Sequence, residues 1–259
     1  MTGFLFHDII FGPVRSRRLG LSLGINLLPL HTKYCSFNCI YCECGWTPAR
    51  NGGTVEFPAR EEVAMYLEQR LKELAGEDYL PDALTYAGNG EPTLHPSFPG
   101  IVDDTLVLRD RFAPQAKVSI LSNSSMIHHD GVFRALLKLD NNILKLDAGS
   151  ERLFNLINNP VSTVSFNDLV RNLQRFEGRV IIQSMFLRGV FRGEVIDNTT
   201  PGEVDAWITR LLDIRPGMVM IYPIARPAPL HNLEKISQEE LESIAEKVRK
   251  AGLKVQVYT

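Results

Sequence analysis

The segment Cys35-Ser-Phe-Asn-Cys39-Ile-Tyr-Cys42 decides how the rest of the chain is interpreted. Its three cysteines have the spacing Cys-x3-Cys-x2-Cys. A fourth, Cys44, follows Cys42 after one intervening residue, and no other cysteine occurs among the 259 residues. Disulfide bonds stabilise a protein by closing long loops, and four cysteines this close together would close almost none. The sequence therefore predicts a set of metal ligands on one loop.

Three thiolates on a tight loop can hold one face of an iron–sulfur cubane, because thiolate is the preferred soft ligand. The fourth iron would then lack a protein ligand and could bind a small molecule. Two alternatives stay open. A structural zinc site typically uses a second, distant ligand pair, which this chain lacks. A four-cysteine electron-transfer cluster would need Cys44 as its fourth ligand, and a Cys-x-Cys step directly after Cys42 is geometrically awkward for the same cubane.

The composition is that of an ordinary globular protein. Apolar residues make up 44% and charged residues 22%, which excludes disordered and fibrous classes. The net charge of −2 does not favour a nucleic-acid partner. The longest apolar run, Leu21 to Leu30, is too short to span a membrane, and no signal peptide is visible. We therefore expect a cytoplasmic protein with no membrane partner.

Strand-like and helix-like segments alternate along the chain. The predicted strands are Leu21–Leu28, Ala83–Ala87, Lys117–Ser122, Asn142–Asp147, Arg179–Leu187, Met218–Ile224 and Lys254–Tyr258. The predicted helices are Pro58–Ala75, Gly131–Leu139, Glu151–Ile157, Phe166–Phe176, one that begins at Thr200 with a capping box to Glu203, and Ser237–Lys250. Such strands need crossover connections, which predicts a mostly parallel sheet. We expect an α/β fold, a partial (β/α)6 TIM-like barrel with its chemistry at the carboxyl ends of the strands.

The cysteine loop resembles that of the radical S-adenosylmethionine (SAM) superfamily, with Tyr41 at the aromatic position before the third cysteine. The resemblance implies a [4Fe–4S] cluster held by Cys35, Cys39 and Cys42. It also implies that the methionine amino and carboxylate groups of SAM chelate the open iron, and that Tyr41 lies beside the adenine. We expect a single radical SAM domain over residues 1–259, with an N-terminal segment and first strand over 1–30 and a cluster-binding loop over 31–45.

A second motif, Gly88-Asn89-Gly90-Glu91-Pro92-Thr93, follows the second predicted strand. Glycines allow a ligand to approach the backbone closely, and a carboxylate can accept hydrogen bonds from an ammonium group. The motif looks like the GGEP motif of the superfamily, which holds the methionine amino group, with Asn89 in place of the first glycine. We therefore expect Gly88, Asn89, Gly90 and Glu91 to bind the cofactor.

Polar residues end the third and fourth predicted strands. Ser122 and Asn123 suit ribose hydroxyls or a carboxylate, and similar residues bind the cofactor in the family; a helix cap or turn is the alternative. Lys145 and Asp147 share one face of their strand. Opposite charges inside a barrel are costly unless they are paired or functional. Lys145 and Asp147 are candidate catalytic residues in contact with cofactor or substrate, and Asp147 is also a candidate for binding the cofactor. A structural ion pair is the alternative.

Later residues extend the candidate site. Gln183 either binds the cofactor or bridges backbone groups. Arg226, after the sixth strand, either meets the cofactor carboxylate or an anionic substrate group, or forms a surface salt bridge. The cluster Arg15, Arg17 and Arg18 either binds phosphate or carboxylate or is a plain solvated segment.

The block FGPVRSRRLGLSLGINLLP, together with KLDAGSE and QSMFLRG, resembles a bacterial branch of iron–sulfur oxidoreductases related to the wyosine-base synthetases of tRNA. The resemblance covers most of the chain. It implies reductive cleavage of SAM to a 5′-deoxyadenosyl radical that abstracts hydrogen from a substrate, with a flavodoxin or ferredoxin as the one-electron donor. The tRNA enzymes carry extra cysteines for a second cluster and a basic surface, and this chain has neither.

Three alternatives to this function stay open. The first is a tRNA-base modifying enzyme, and the second is an activase that forms a glycyl radical on a partner protein. The third is a non-enzymatic iron–sulfur electron carrier, for which a barrel of this size is more scaffold than is required. Cys44 is a hydrogen-atom donor, an auxiliary ligand or a partly buried bystander.

Overall fold

The computed structural model describes residues 3–48, 55–161, 164–226 and 228–259. Ten strands lie in these ranges: β1 (Ile10–Ser16), β2 (Gly20–Ile25), β3 (Ala83–Tyr86), β4 (Lys117–Ser122), β5 (Asn141–Lys145), β6 (Ile181–Phe191), β7 (Glu194–Asp197), β8 (Met218–Pro223), β9 (Glu234–Lys235) and β10 (Val255–Val257). The α-helices there are α1 (Arg60–Gly76), α2 (Phe98–Phe112), α3 (Asp130–Leu136), α4 (Glu151–Asn158), α5 (Phe166–Gln174), α6 (Pro201–Ile214) and α7 (Gln238–Lys250).

Seven strands form a parallel sheet in the order β2-β3-β4-β5-β6-β8-β10. Each step from one of these strands to the next in the chain passes through at least one helix. The seven predicted strands and the mostly parallel α/β sheet are therefore confirmed in the described ranges, and α2, between β3 and β4, is a helix that is not predicted from the sequence. The strands β1, β7 and β9 are antiparallel additions, β1 on β2 and the other two on β6.

The first parallel strand is shorter than predicted. It ends at Ile25, three residues before the predicted end at Leu28. The Asn26 side chain explains this end, because its Oδ1 accepts hydrogen bonds from the backbone N–H of Leu28 and of Asn89, both at 3.2 Å. The antiparallel hairpin with β1 is also absent from the sequence prediction.

The predicted capping box at the start of α6 does not form. Thr200 makes no side-chain cap, although Pro201 does open the helix. Glu203 instead accepts hydrogen bonds from the backbone N–H groups of Gly149 and Ser150, at 2.7 and 2.9 Å. The carboxylate thus joins α6 to the start of α4. The second predicted capping box, between Ser237 and Glu240, is present.

Helix α1 shows how the helices cover the sheet. Its buried residues Val63, Leu67, Leu71 and Leu74 recur at helical spacing and form one apolar face. They belong to the same buried core as the side chains of the central strands. None of the helices in the described ranges has the length and apolar character needed to cross a membrane.

Candidate active site

The cysteine loop and the carboxyl ends of the parallel strands enclose a cavity of about 410 Å³. Most of the predicted site residues line it: Cys35, Cys39, Tyr41, Cys42, Gly88, Gly90, Glu91, Ser122, Asn123, Lys145, Gln183 and Arg226. Asn89 and Asp147 do not line it. Most of the predicted site residues therefore lie around one cavity, and Asn89 and Asp147 lie outside it.

Gly90 holds the cysteine loop against the second motif. The backbone of Tyr34 pairs with this motif, donating to the carbonyl of Asn89 at 2.8 Å and accepting from the N–H of Glu91 at 3.1 Å. A Cβ at position 90 would lie 1.9 Å from the Tyr34 carbonyl oxygen, and φ there is +142°. Contact with the cysteine loop therefore requires glycine at position 90, in addition to the close approach of a ligand expected from the sequence.

The end of helix α4 supports the other side of the loop. The backbone N–H of Asn38 donates to the carbonyl of Asn158 at 3.1 Å, and that of Ile40 donates to Ile157 at 3.0 Å. These carbonyls lie at a helix C-terminus, where they have no partner within the helix. The loop therefore takes its shape from a helix more than a hundred residues further along the chain.

Side-chain amides donate to two of the cysteine sulfurs. Asn123 Nδ2 lies 3.4 Å from Cys35 Sγ, and Asn158 Nδ2 lies 3.6 Å from Cys39 Sγ. Hydrogen bonds of this kind stabilise thiolate over thiol and tune any metal that the sulfur binds. The role of Asn158 is not predicted from the sequence, because nothing in its local pattern indicates contact with the cysteines.

A buried lysine also faces the cysteines. Lys33 is 4% exposed, and its Nζ donates to the carbonyl oxygen of Gly45 at 2.8 Å. Burial by itself lowers the pKa of Lys33, but the three neighbouring cysteines raise it more, so the pKa lies above its ordinary value. Lys33 therefore keeps its positive charge inside the loop. Lys33 is not among the residues predicted from the sequence, although a lysine two positions before the first cysteine is a visible signal.

The cysteines differ in how readily they ionise. Burial raises the pKa of Cys35 to about 12, against the influence of Lys33, and it also raises the pKa of Cys39. A hydrogen bond with Cys44 lowers the pKa of Cys42 and raises that of Cys44. The two buried thiols therefore hold their protons more tightly than a free cysteine does, and a metal that binds them takes the place of those protons.

Glu91 is a buried carboxylate at the wall of the cavity. It is 1% exposed and accepts hydrogen bonds from Ser122 Oγ at 2.8 Å, from the Asn123 N–H at 2.6 Å and from Thr93. Burial raises the pKa of Glu91, while these donors oppose the rise. Ser122 and Asn123 thus orient Glu91 as well as lining the cavity.

Asn89 points away from the cavity. Its side chain pairs with the backbone of Phe6, accepting from the N–H and donating to the carbonyl, both at 2.8 Å. It also donates to the carbonyl of Pro29 at 2.9 Å. Asn89 therefore anchors the N-terminal segment, whose Phe4 and Phe6 form part of the cavity wall.

Lys145 and Asp147 form a buried ion pair, with 3.3 Å between Nζ and Oδ2. Asp147 also accepts hydrogen bonds from the Tyr41 hydroxyl, from Asn158 Nδ2 at 2.7 Å and from the Met185 N–H at 2.9 Å. Lys145 donates to the Tyr41 hydroxyl and lies 4.7 Å from the centre of its ring. Lys145 reaches the cavity, whereas Asp147 lies behind Tyr41 and positions it.

Gln183 and Arg226 both line the cavity, each with a protein partner. Gln183 Oε1 accepts from Arg18 Nη1 at 2.9 Å. Arg226 Nη1 forms a salt bridge of 2.7 Å with Glu43 of the cysteine loop, and both side chains are exposed. The salt bridge expected as the alternative for Arg226 is therefore present. It joins the segment after β8 to the cysteine loop.

Comparison with known proteins decides the family. A family model described as the Radical SAM superfamily matches residues 30–198. The chain belongs to the radical SAM superfamily. Radical SAM proteins are enzymes. Membership implies that an iron–sulfur cluster and SAM are bound, that SAM is cleaved, and that a reductant is needed.

Two curated relatives of this radical SAM chain are proteins of greater length. It is 30% identical to a protein named GTPase Obg from Brachyspira hyodysenteriae over 248 residues, which are 96% of this chain and 34% of that protein. It is 33% identical to a UPF0026 protein from Methanocaldococcus jannaschii over 186 residues, 70% of this chain and 55% of that protein. The chain thus spans about a third and about half of them. This chain contains no G-x-x-x-x-G-K-[ST] sequence, the P-loop motif whose backbone N–H groups bind phosphates.

Solved structures share the fold. A radical SAM methyltransferase from Sphaerobacter thermophilus has a TM-score of 0.65 at 12% identity, covering 92% of this chain and 65% of that chain. A structure of TYW1 with a lysine–pyruvate adduct bound has a TM-score of 0.58 at 15% identity, covering 88% and 73%. At these identities the likeness shows a partial TIM barrel of the radical SAM kind and nothing about the substrate.

The residues present fit the implied cofactors. Three thiols with amide and ammonium donors beside them suit an iron–sulfur cluster, whose potential depends on hydrogen bonds to its sulfurs. In the described ranges, no group of three or more His, Cys, Asp or Glu side chains is arranged to hold a single metal ion. A carboxylate on the same cavity suits the cationic SAM.

Proposed function

We propose that this enzyme binds a [4Fe–4S] cluster through Cys35, Cys39 and Cys42, cleaves SAM reductively, and uses the 5′-deoxyadenosyl radical to abstract hydrogen from a substrate. The observation that carries the proposal is a single cavity onto which the three cysteine thiols and the Glu91 carboxylate open together. Nothing in the described ranges favours tRNA, a partner protein or a simple electron carrier over this assignment.

The cysteine loop supplies the ligands in a prearranged form. Its backbone bonds to Asn89, Asn158 and Ile157 fix its path before any metal binds. Lys33 places a positive charge beside three thiolates, which reduces their mutual repulsion. The donors Asn123 and Asn158 orient two of the sulfurs. Cluster binding thus requires little rearrangement of the loop.

Glu91 is the proposed partner of the SAM ammonium group. Burial disfavours its charged form, and an ammonium group beside it would favour that form. Ser122 and the backbone of Asn123 hold both carboxylate oxygens in place. The ammonium group would therefore meet a fixed acceptor.

Tyr41 forms a further part of the wall. Lys145 and Asp147 both bind its hydroxyl, so the ring has little freedom to rotate. We propose that the ring lies beside the adenine and that Lys145 faces the bound ligands. The bound cluster and SAM together supply the one-electron chemistry, and the protein orients them and excludes water from the cavity. We further propose that residues 1–259 act as one radical SAM domain.

The test is an anaerobic assay on protein reconstituted with iron and sulfide. Dithionite and SAM are added, and 5′-deoxyadenosine and methionine are measured. The variants Cys35→Ala, Cys39→Ala and Cys42→Ala should lose both the cluster absorbance and the products. Cys44→Ala is the matched control in the same loop and should keep the cluster. Glu91→Gln should keep the cluster and bind SAM more weakly.

Each readout has a result that contradicts the proposal. Zinc as the only metal after reconstitution would refute the cluster assignment. A cluster lost in Cys44→Ala and kept in one of the other three variants would change the ligand set. A cluster whose paramagnetic resonance spectrum does not change when SAM is added would favour the electron carrier.

A further inference from the structure

The turn between β1 and β2 carries two arginines into the cavity. Ser16 Oγ accepts hydrogen bonds from the backbone N–H groups of Arg18 and Leu19, at 3.3 and 3.2 Å, which fixes the turn. The side chains of Arg17 and Arg18 line the same cavity as the cysteine thiols. The third arginine of this segment, Arg15, is exposed on β1 and does not line it.

Arg18 is partly buried and has no counter-ion among the residues that the structure describes. Its Nη1 donates to Gln183 Oε1 at 2.9 Å, and its guanidinium carbon lies 5.0 Å from the centre of the Tyr222 ring. Both partners are neutral. A guanidinium group has five N–H donors, and removing a cation from water is costly unless an anion faces it. Arg18 is therefore held in place with most of its donors available.

Arg17 has no hydrogen-bond or ion-pair partner in the described ranges of the chain. The other cations of the cavity already have carboxylate partners: Lys145 pairs with Asp147 and Arg226 pairs with Glu43. The two arginines of the turn are thus left without a carboxylate among the described residues. Their side chains face the cavity, where a ligand can reach them.

We propose that Arg17 and Arg18 bind an anionic group, a carboxylate or a phosphate, on a small substrate of this enzyme. The proposal rests on the proposed function, because the substrate must share the cavity with SAM. Guanidinium groups match the planar oxygens of carboxylate and phosphate with two parallel hydrogen bonds. Gln183 and Tyr222 hold the Arg18 guanidinium in position, which lowers the entropy that binding would otherwise cost.

The experiment measures anion binding directly. Inorganic phosphate and succinate are titrated separately into the reconstituted protein, and binding is followed by calorimetry. The same titrations are made on Arg17→Gln, on the double variant Arg17→Gln/Arg18→Gln and on Arg15→Gln. Arg15→Gln is the matched control, since it removes the same charge from the same hairpin outside the cavity. SAM binding is measured on each protein by equilibrium dialysis.

We expect saturable binding of at least one anion, and the preferred one identifies the group. The double variant should weaken anion binding by about tenfold or more, since the loss of one charge-assisted hydrogen bond alone accounts for about tenfold. Arg17→Gln removes an exposed side chain that has no partner in the described part of the chain, so the variant should fold normally and weaken binding by about threefold or more. Arg15→Gln should bind the anion as the unmodified protein does, and all variants should bind SAM normally.

Three results would overturn the proposal. They are no binding of either anion, equal binding by the double variant, and a parallel loss of SAM affinity, which would assign the arginines to the SAM carboxylate. Deoxyadenosine formation is measured separately. A failure there together with intact, arginine-dependent anion binding would overturn the proposed function and leave the anion site standing.

Discussion

Replacing Asp147 by Asn should destabilise the protein by about 3–5 kcal/mol, the usual cost of removing one partner of a buried ion pair. The side chain of Asp147 is 0% exposed and that of Lys145 is 12% exposed. The variant leaves the Lys145 ammonium without its counter-ion. The new amide group must also face either the Met185 N–H or the donors Tyr41 and Asn158, which an amide nitrogen cannot accept from.

The double variant Lys145→Met/Asp147→Asn tests this reasoning. With both charges removed, no buried ion is left unpaired. The double variant should therefore lose less free energy of unfolding than the two single variants lose in sum. We expect a coupling free energy on the order of 2 kcal/mol. Lys145→Met alone should cost less than Asp147→Asn, because Asp147 keeps three other donors.

Urea denaturation of the reduced, metal-free protein measures these free energies, with the fluorescence of the buried Trp207 as the signal. The control is Asp103→Asn, which breaks the exposed pair of Asp103 with Lys138 and should change stability by less than about 1 kcal/mol. The ion-pair argument would be refuted if Asp147→Asn lowered the free energy of unfolding no more than Asp103→Asn does. It would also be refuted if the effects of the two single changes at Lys145 and Asp147 simply added up in the double variant.

Three further changes have defined outcomes. Lys33→Met should lower the midpoint potential of the reconstituted cluster by roughly 60 mV or more in a redox titration, because a cation favours the reduced form; Lys33→Arg should not. Asn89→Ala should cost about 1–3 kcal/mol in urea denaturation and expose the segment around Phe6 to proteases. Burial lowers the pKa of His95, whose Nδ1 accepts from the Ser97 N–H. As the pH falls, His95 therefore gains its proton in the unfolded chain before it does in the folded protein. The free energy of unfolding of the metal-free protein should then fall by on the order of 1 kcal/mol between pH 7 and 5.5, and His95→Gln should remove this loss.

The sequence predicts those features that depend on local patterns. The apolar segment Lys117–Ser122 coincides with β4 to the residue, since it is rich in β-branched and apolar side chains. Helix α2 is missed because it opens with Pro99 and Gly100, which are typical of a turn. A proline in the first turn of a helix is nevertheless well tolerated.

The candidate site is predictable where it lies on consecutive residues and not where distant elements meet. The cysteine loop and the segment Gly88–Thr93 each carry their own pattern. Asn158 lies at the end of a helix with no unusual feature, and only the fold places its amide 3.6 Å from the Cys39 sulfur. The contacts of Asn89 with the backbone of Phe6 are likewise not visible in the sequence, which for Asp147 leaves both the ion pair with Lys145 and a ligand contact open. The residue type indicates a polar contact, but the sequence does not show whether the partner is a ligand or the protein itself.

The way in which the cysteine loop is held also separates this protein from small modules that need a metal to fold. In such modules the free energy of metal binding is the free energy of folding. Here the backbone of the loop bonds to Asn89 on one side and to the end of α4 on the other. Lys33 bonds to the carbonyl oxygen of Gly45 within the loop. None of these bonds involves a cysteine sulfur. The loop should therefore keep its path without a cluster, so that loss of iron removes the chemistry and leaves the barrel folded.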